Sequence, residues 1–338
     1  MSFVLGSTLR TKGSEIFSIR FAPSSPWLVA ASNDGVVRMF DWKNNKEGKQ
    51  VRIRTEKATK DVPVMCIAFP EYAPVVKQAM LAVCSDGYVS RWDMAKQKCL
   101  NSFMETGNET YTVGYNKDAS LFCTGGLDRK LRVYDDETCK LVTEPGVPEL
   151  GMESHGNRIS AVMWSKVDPN ILISGGWDNT VKIWDVRDNK CVRQVFGPYV
   201  TGEGLDTHGE MILTGSARPS EQVEIWDLRT SDPLQAIKWP SSTQDPCVVY
   251  ACHFSKNGKY VVAGGAFSSE VLVFGVDSGL SVGVLGNMTK SVYTAEFSFD
   301  HQHVACGGAD GNIYVMQYSK NKPKQTSGLS SPPKPPKK

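Results

Sequence analysis

The sequence lacks any apolar run near the about 18 to 20 residues that a bilayer-spanning helix needs. Its opening, MSFVLGSTLR, has no basic stretch ahead of an apolar core. The membrane and secretory classes are thereby set aside, and the chain is expected in the cytoplasm or the nucleus. Strong charge of one sign is missing too. The formal net charge is +2 over 338 residues, and residues 320–338 hold six lysines with no acid or arginine, which leaves residues 1–319 at −4. A mildly acidic body argues against a broad nucleic-acid-binding face, because such faces gather Lys and Arg on one surface.

The equipment of catalysis is also missing. There is no Cys-x-x-Cys, and the nine cysteines are odd in number and sit mostly in apolar stretches such as LAVCSD and LFCTGG. Free buried thiols in a reducing compartment are expected, without zinc. No Gly-rich phosphate loop, Gly-x-Ser-x-Gly, His-Glu-x-x-His or calcium loop occurs. His301 and His303 alternate within FDHQHV, with no third ligand close by in the sequence. No catalytic residue, metal or cofactor is assigned, and no enzyme activity is expected. Helical periodicity beyond a turn is absent as well.

What is present is repetition. An apolar run, a turn with Gly or Asp and a second apolar run recur as WLVAASNDGVVRMFD, AMLAVCSDGYVSRWD, SLFCTGGLDRKLRVYD, ILISGGWDNTVKIWD and ILTGSARPSEQVEIWD. Two degenerate copies follow, YVVAGGAFSSEVLVFG and HVACGGADGNIYVMQ, and the copies are spaced by about 42 to 52 residues. Short alternating stretches between Gly, Asp, Asn and Ser are strand-and-hairpin chemistry. Each unit has room for four strands, and a lone four-stranded sheet cannot bury both faces. Packing seven such sheets around an axis solves that problem.

Five units keep an acidic turn residue (Asp34, Asp86, Asp128, Asp178, Asp310), and four of these carry an aromatic-Asp pair six and seven residues later. By these marks the chain resembles the WD-repeat family from about residue 3 to residue 319. The resemblance implies an all-β, seven-bladed β-propeller over residues 1–319, followed by a disordered Lys/Pro-rich tail over 320–338. It also implies that FVLGSTL, residues 3–9, supplies the outer strand of the last blade and closes the ring, which removes exposed sheet edges. His155, Ser174, Asp178 and Trp184 match the family's hydrogen-bonded tetrad and are read as structural. Thr124, Asp128 and Tyr134 form a partial version without a His.

The resemblance further implies a non-catalytic scaffold, monomeric as a propeller, that binds proteins on the face carrying the Asp turns. Candidate contacts there are Trp177, an indole on a turn, with Arg158, Arg218, Phe267, Asn33 and Leu127, since aromatic and Arg side chains commonly anchor interfaces. Residues 172–187, LISGGWDNTVKIWDVR, are similar to the motif of cullin-4 ubiquitin-ligase substrate receptors. In that reading Arg187, with Arg229 as a partial second copy, contacts the ligase adaptor; local pairing of an Asp and an Arg two apart is the alternative. Pro333, Pro336 and Lys338, and Pro332, Pro335 and Lys337 one residue earlier, make Pro-x-x-Pro-x-Lys patterns that resemble ligands of Src-homology-3 domains. A solubilising or targeting tail is the alternative there. A component of an RNA-processing or checkpoint complex is a third functional reading; no membrane or specific nucleic-acid partner is expected.

Overall fold

Five of the repeated turns are built by one device. The carboxylates of Asp34, Asp86, Asp128, Asp178 and Asp310 each accept the backbone N–H two residues on, at 2.9–3.2 Å. The residue between has a left-handed backbone: Gly35, Gly87 and Gly311 at φ 75°, 87° and 72°, and Arg129 and Asn179 at 69° and 58°. Each turn therefore reverses the chain at a fixed register and sends it back as an antiparallel strand.

The computed structural model describes residues 2–23, 25–54, 61–71, 79–146, 154–240, 247–267, 270–286, 288 and 290–319. Among them there are strands and no helices. The strands form seven four-stranded antiparallel blades, each ordered from an inner strand at the axis to an outer strand at the rim. Blade one is Ile16–Phe21, Trp27–Ser32, Val36–Asp41 and Lys46–Arg52. Blade two is Val64–Ala68, Met80–Cys84, Tyr88–Asp93 and Lys98–Met104. Blade three is Thr110–Tyr115, Leu121–Gly126, Leu131–Asp135 and Leu141–Thr143. Blade four is Ile159–Trp164, Ile171–Gly176, Thr180–Asp185 and Lys190–Phe196. Blade five is Leu205–His208, Met211–Gly215, Val223–Asp227 and Pro233–Ile237. Blade six is Val248–Phe254, Tyr260–Ala266, Val271–Gly275 and Ser281–Leu285.

Blade seven takes Val292–Phe297, His303–Gly308 and Asn312–Ser319 from one end of the chain and Ser2–Arg10 from the other. Ser2–Arg10 pairs antiparallel with Asn312–Ser319 from Ser2↔Ser319 to Arg10↔Asn312. This is the expected closure by the N-terminal strand. Phe3 locks it, with rings of Tyr318, Tyr260 and Phe297 at 5.4, 5.7 and 5.9 Å.

The core lies between blades rather than in one mass: each buried cluster joins residues of neighbouring blades, such as Val37 and Met39 with Ile67 and Met80. The Gly-Gly pairs of the sequence explain how closely the blades' own strands approach. A Cβ on Gly126, Gly176, Gly265 or Gly308 would collide with the carbonyl oxygen of Glu109, Arg158, Val248 or Ser291, the residues that lead into the inner strands. All nine cysteines are free, six of them fully buried. Residues 320–338, with Pro332, Pro333, Pro335, Pro336, Lys337 and Lys338, lie outside the described residues.

Candidate functional site

Two local features aim side chains at one face. First, the residue ahead of each turn Asp donates its backbone N–H to the residue entering an inner strand: Asn33 to Glu15, Ser85 to Pro63, Leu127 to Glu109, Trp177 to Arg158 and Ala309 to Ser291, at 2.9–3.1 Å. The turns and the mouth of the central axis thus share a face. Second, six inner strands carry a β-bulge near their start, where one residue is skipped in the pairing. A bulge leaves that residue unpaired and re-aims it. The skipped residues are Phe17, Met65, Tyr111, Ser160, Tyr250 and Tyr293, and all of them line one cavity of about 280 Å³. Blade five has no bulge in its inner strand. Thr201, Gly202 and Glu203, just ahead of it, fill its place, and Arg158 and Trp177 complete the wall.

The mouth is strongly aromatic. Tyr293 lies 5.7 Å from Phe17 and 5.9 Å from Tyr250, ring to ring. The Arg158 guanidinium sits 4.3 Å from the Trp177 ring centre and 5.9 Å from that of Tyr111, and Tyr199 supports Trp177 from 5.8 Å. Tyr111 donates its hydroxyl to Glu109 at 2.5 Å. Burial, reinforced by that carboxylate, pushes the Tyr111 phenol up to about 12.

Deeper in, the axis is lined by ion pairs. Glu203 accepts from Ser18 at 2.7 Å, from both Arg20 nitrogens at 2.9 and 3.0 Å, and from Thr294 at 2.7 Å. Burial alone would raise its carboxyl; the adjacent Arg20 charge outweighs this and holds it below the usual range. Below Glu203 a second cavity of about 100 Å³ is lined by Lys166, Asp206, His253, Lys256, Glu71 and Glu296. Lys166 pairs with Asp206 at 3.2 Å and Lys256 with Glu71 at 2.5 Å, while Glu296 accepts the Phe21 amide at 2.6 Å. These acids and bases thus pair with one another around the cavity rather than standing as isolated charges.

The structure brings together Arg158 and Trp177 and places the other candidates around them. Arg218 reaches over Gly197, beside Tyr199, and its guanidinium pairs with Glu224 and Glu221. Phe267 is 67% exposed on a left-handed backbone at φ 71° in the turn of blade six, and Leu127 is 38% exposed on that of blade three. Asn33 is half-buried at the turn of blade one. Trp177 is itself half-buried, because its ring lies between Arg158 and Tyr199 rather than standing free. Arg187 lies at the opposite end of its hairpin from Asp178, and its Nε and a terminal nitrogen hold both oxygens of Asp185 at 2.9 and 2.5 Å. Arg229 pairs with Glu210 at 3.2 Å and Asp227 at 3.5 Å. His303 packs against Trp42 with ring centres 4.6 Å apart and the planes tilted by 57°, and among the described residues no three His, Cys, Asp or Glu gather as a metal site.

His155 Nδ1 meets Asp178 at 2.8 Å and Nε2 meets the Ser174 hydroxyl at 2.7 Å, while the Trp184 indole donates to the same hydroxyl at 2.8 Å. The Ser-His-Asp order imitates a hydrolytic relay. Ser174 is completely buried and already serves its two partners, so no substrate carbonyl can reach it. Blade three holds a variant that sequence reasoning missed. Glu105, 5% exposed, stands where His155 stands in blade four and accepts from Thr124 at 2.5 Å, Asn108 at 2.7 Å, Tyr134 at 2.8 Å and Thr110 at 2.9 Å. The signal was spacing: Glu105 precedes Thr124 by 19 residues, as His155 precedes Ser174.

Comparison with known sequences adds the family. A family model described as WD domain, G-beta repeat, matches residues 4–41, 97–135, 146–185 and 279–315. Three of these matches begin with the outer strand of one blade and end in the third strand of the next, so a repeat straddles two blades. The chain is similar to a ribosome biogenesis protein WDR12 homolog of Drosophila mojavensis, 24% identical over 244 residues, which are 68% of this chain and 56% of that protein. It is also similar to the human serine-threonine kinase receptor-associated protein, 23% identical over 207 residues, 61% of this chain and 54% of that one. A third is mitochondrial division protein 1 of Saccharomyces cerevisiae strain S288c, 25% identical over 199 residues, 46% of this chain and 27% of that one. The matched region thus spans little more than half the length of these curated relatives, or less.

Proposed function

Because the chain belongs to the WD-repeat family, we propose that it is a non-catalytic scaffold whose turn-bearing face docks other proteins, within an RNA-processing complex of the kind that assembles ribosomes. The observation that carries the docking reading is the ring of six bulge residues around a cavity of about 280 Å³, with Trp177 and Arg158 at its wall. A concave, aromatic mouth with few polar groups is a recognition surface. The mutually paired charges along the axis and the buried Ser174 fit binding better than turnover. The choice of complex rests on the ribosome biogenesis relatives, and it carries with it a nuclear or nucleolar location. Residues 1–319 form the docking unit in this reading, and 320–338 are its tail.

The test is affinity capture from a nuclear extract, comparing the parent chain with an Arg158→Ala/Trp177→Ala pair whose fold is checked by circular dichroism. Ribosome-assembly or RNA-processing proteins retained by the parent and lost from the pair support the proposal. Equal retention by both removes the face from it, and a partner set without RNA-processing proteins removes the complex.

A further inference from the structure

The wall of the mouth leaves polar atoms without partners. Arg158 Nε, Trp177 Nε1 and Thr201 Oγ1 are buried and make no hydrogen bond, and all three residues line the same cavity. Buried donors are ordinarily satisfied, because an orphan costs its lost hydration. Two of the three are N–H groups that can only donate, and the hydroxyl can also donate. What completes them is an acceptor.

Charge narrows the choice. Among the described residues no carboxylate pairs with Arg158; its guanidinium touches only the rings of Trp177 and Tyr111. The nearby acids are engaged or peripheral. Glu203, on the cavity floor, is held by Arg20, Ser18 and Thr294. Glu109 takes the Tyr111 hydroxyl, and Glu15 lies near enough to Tyr293 for its charge to add to the burial that raises that phenol. One uncompensated cation among these acids suits a single negative charge and disfavours a polyanion such as a phosphate ester or nucleic acid. The walls of Phe17, Met65, Tyr250 and Tyr293 suit a short apolar stem.

We propose that the mouth accepts the carboxylate of a glutamate or aspartate side chain from a partner peptide, paired with the Arg158 guanidinium, and that the side chains of Arg158, Trp177 and Thr201 turn as it enters so that their buried Nε, Nε1 and Oγ1 reach it. This rests on the docking-face reading and specifies its chemistry.

The probe is a set of peptide pools with the centre fixed as Glu, Asp, Gln, Lys or phosphoserine and all flanking positions randomised, passed over the immobilised full chain. The acid-centred pools are retained at least about tenfold over the Gln and Lys pools, and the preference weakens at high salt. Arg158→Ala abolishes the preference. Trp177→Phe, which keeps a ring and removes the N–H, weakens it severalfold. Pools retained without preference for an acid, a preference that survives Arg158→Ala, a preference for phosphoserine over glutamate, or no retention at all each overturn the carboxylate site. Peptides retained without acid preference yet lost from the Arg158→Ala/Trp177→Ala pair would sink the carboxylate site and leave the docking face standing. The extract capture decides that face separately.

Discussion

Arg20 and Glu203 are 183 residues apart in the chain and are joined by two hydrogen bonds, at 2.9 and 3.0 Å, beside the central axis. The pair ties blade one to the segment leading into blade five, and Glu203 forms both the floor of the aromatic mouth and the roof of the charged cavity below. Removing one member of a buried pair strands the other's charge. Glu203→Gln is expected to destabilise the chain by about 3 to 5 kcal/mol in urea denaturation, and Arg20→Met added to it should recover part of that loss. A cost under about 1 kcal/mol would mean that water or a neighbouring acid already compensates Arg20.

Glu105 gathers four donors around one buried carboxylate. Glu105→Ala leaves Thr124, Tyr134, Thr110 and Asn108 without it and is expected to cost about 2 to 4 kcal/mol. Glu105→His, which copies blade four, should be tolerated better than alanine. Equilibrium unfolding of the two variants side by side checks the order; alanine matching or exceeding histidine would show that the carboxylate, and not the position, is required.

The Asp178 carboxyl titrates at about 2 in the folded chain. Burial pushes it up, and the hydrogen bond and charge of His155, with the Thr180 hydroxyl and the Gly156 amide, outweigh that and bring it below its ordinary 3.8. A depressed folded value stabilises at pH above the unfolded value and loses that contribution as pH falls. The contribution is expected to be complete above about pH 4 and to vanish between about pH 4 and 2; allowing for screening at a partly wet turn, its size is about 1 to 2 kcal/mol. Asp178→Asn should flatten this part of the stability-pH curve, measured by chemical denaturation at fixed pH steps. An unchanged slope would assign the acid sensitivity to other carboxylates.

Phe3 is 2% exposed and packs edge-on against three rings in blades six and seven. Phe3→Ala is expected to lower stability by about 3 to 5 kcal/mol, and deletion of residues 1–10 should destabilise the whole ring. Calorimetry that found the deletion variant melting like the parent would show that the ring holds without its closing strand.

The blades were legible because each repeat carries its own turn: Asp34-Gly35 and Asp310-Gly311 announce a hairpin from four residues of sequence. The tetrad positions were legible for the same reason, since His155, Ser174, Asp178 and Trp184 all belong to one unit. Glu105 was hidden because a carboxylate there serves a different polarity, accepting where His155 does both. The mouth was hidden for a deeper reason. Tyr111, Tyr250 and Tyr293 look like ordinary strand residues, and only the skipped pairing at each bulge turns them toward the axis. Trp177 could be singled out as a turn indole, whereas its position between Arg158 and Tyr199 depends on three separate segments meeting.

The closing strand also sets a schedule for synthesis. Thr11, next to that strand, donates its hydroxyl to the Gly311 carbonyl 300 residues further along. At about 5 to 20 residues per second, the partner of Ser2–Arg10 emerges roughly 15 to 60 s after the strand itself. Throughout that interval an apolar strand with unpaired backbone groups waits beside blades that are already forming, and blade six offers its outer edge at Gly283, next to Phe3 in the finished ring. Until that interval ends the ring is open to foreign strands, chaperones and domain exchange, because its closure joins two segments that lie 300 residues apart at Thr11 and Gly311.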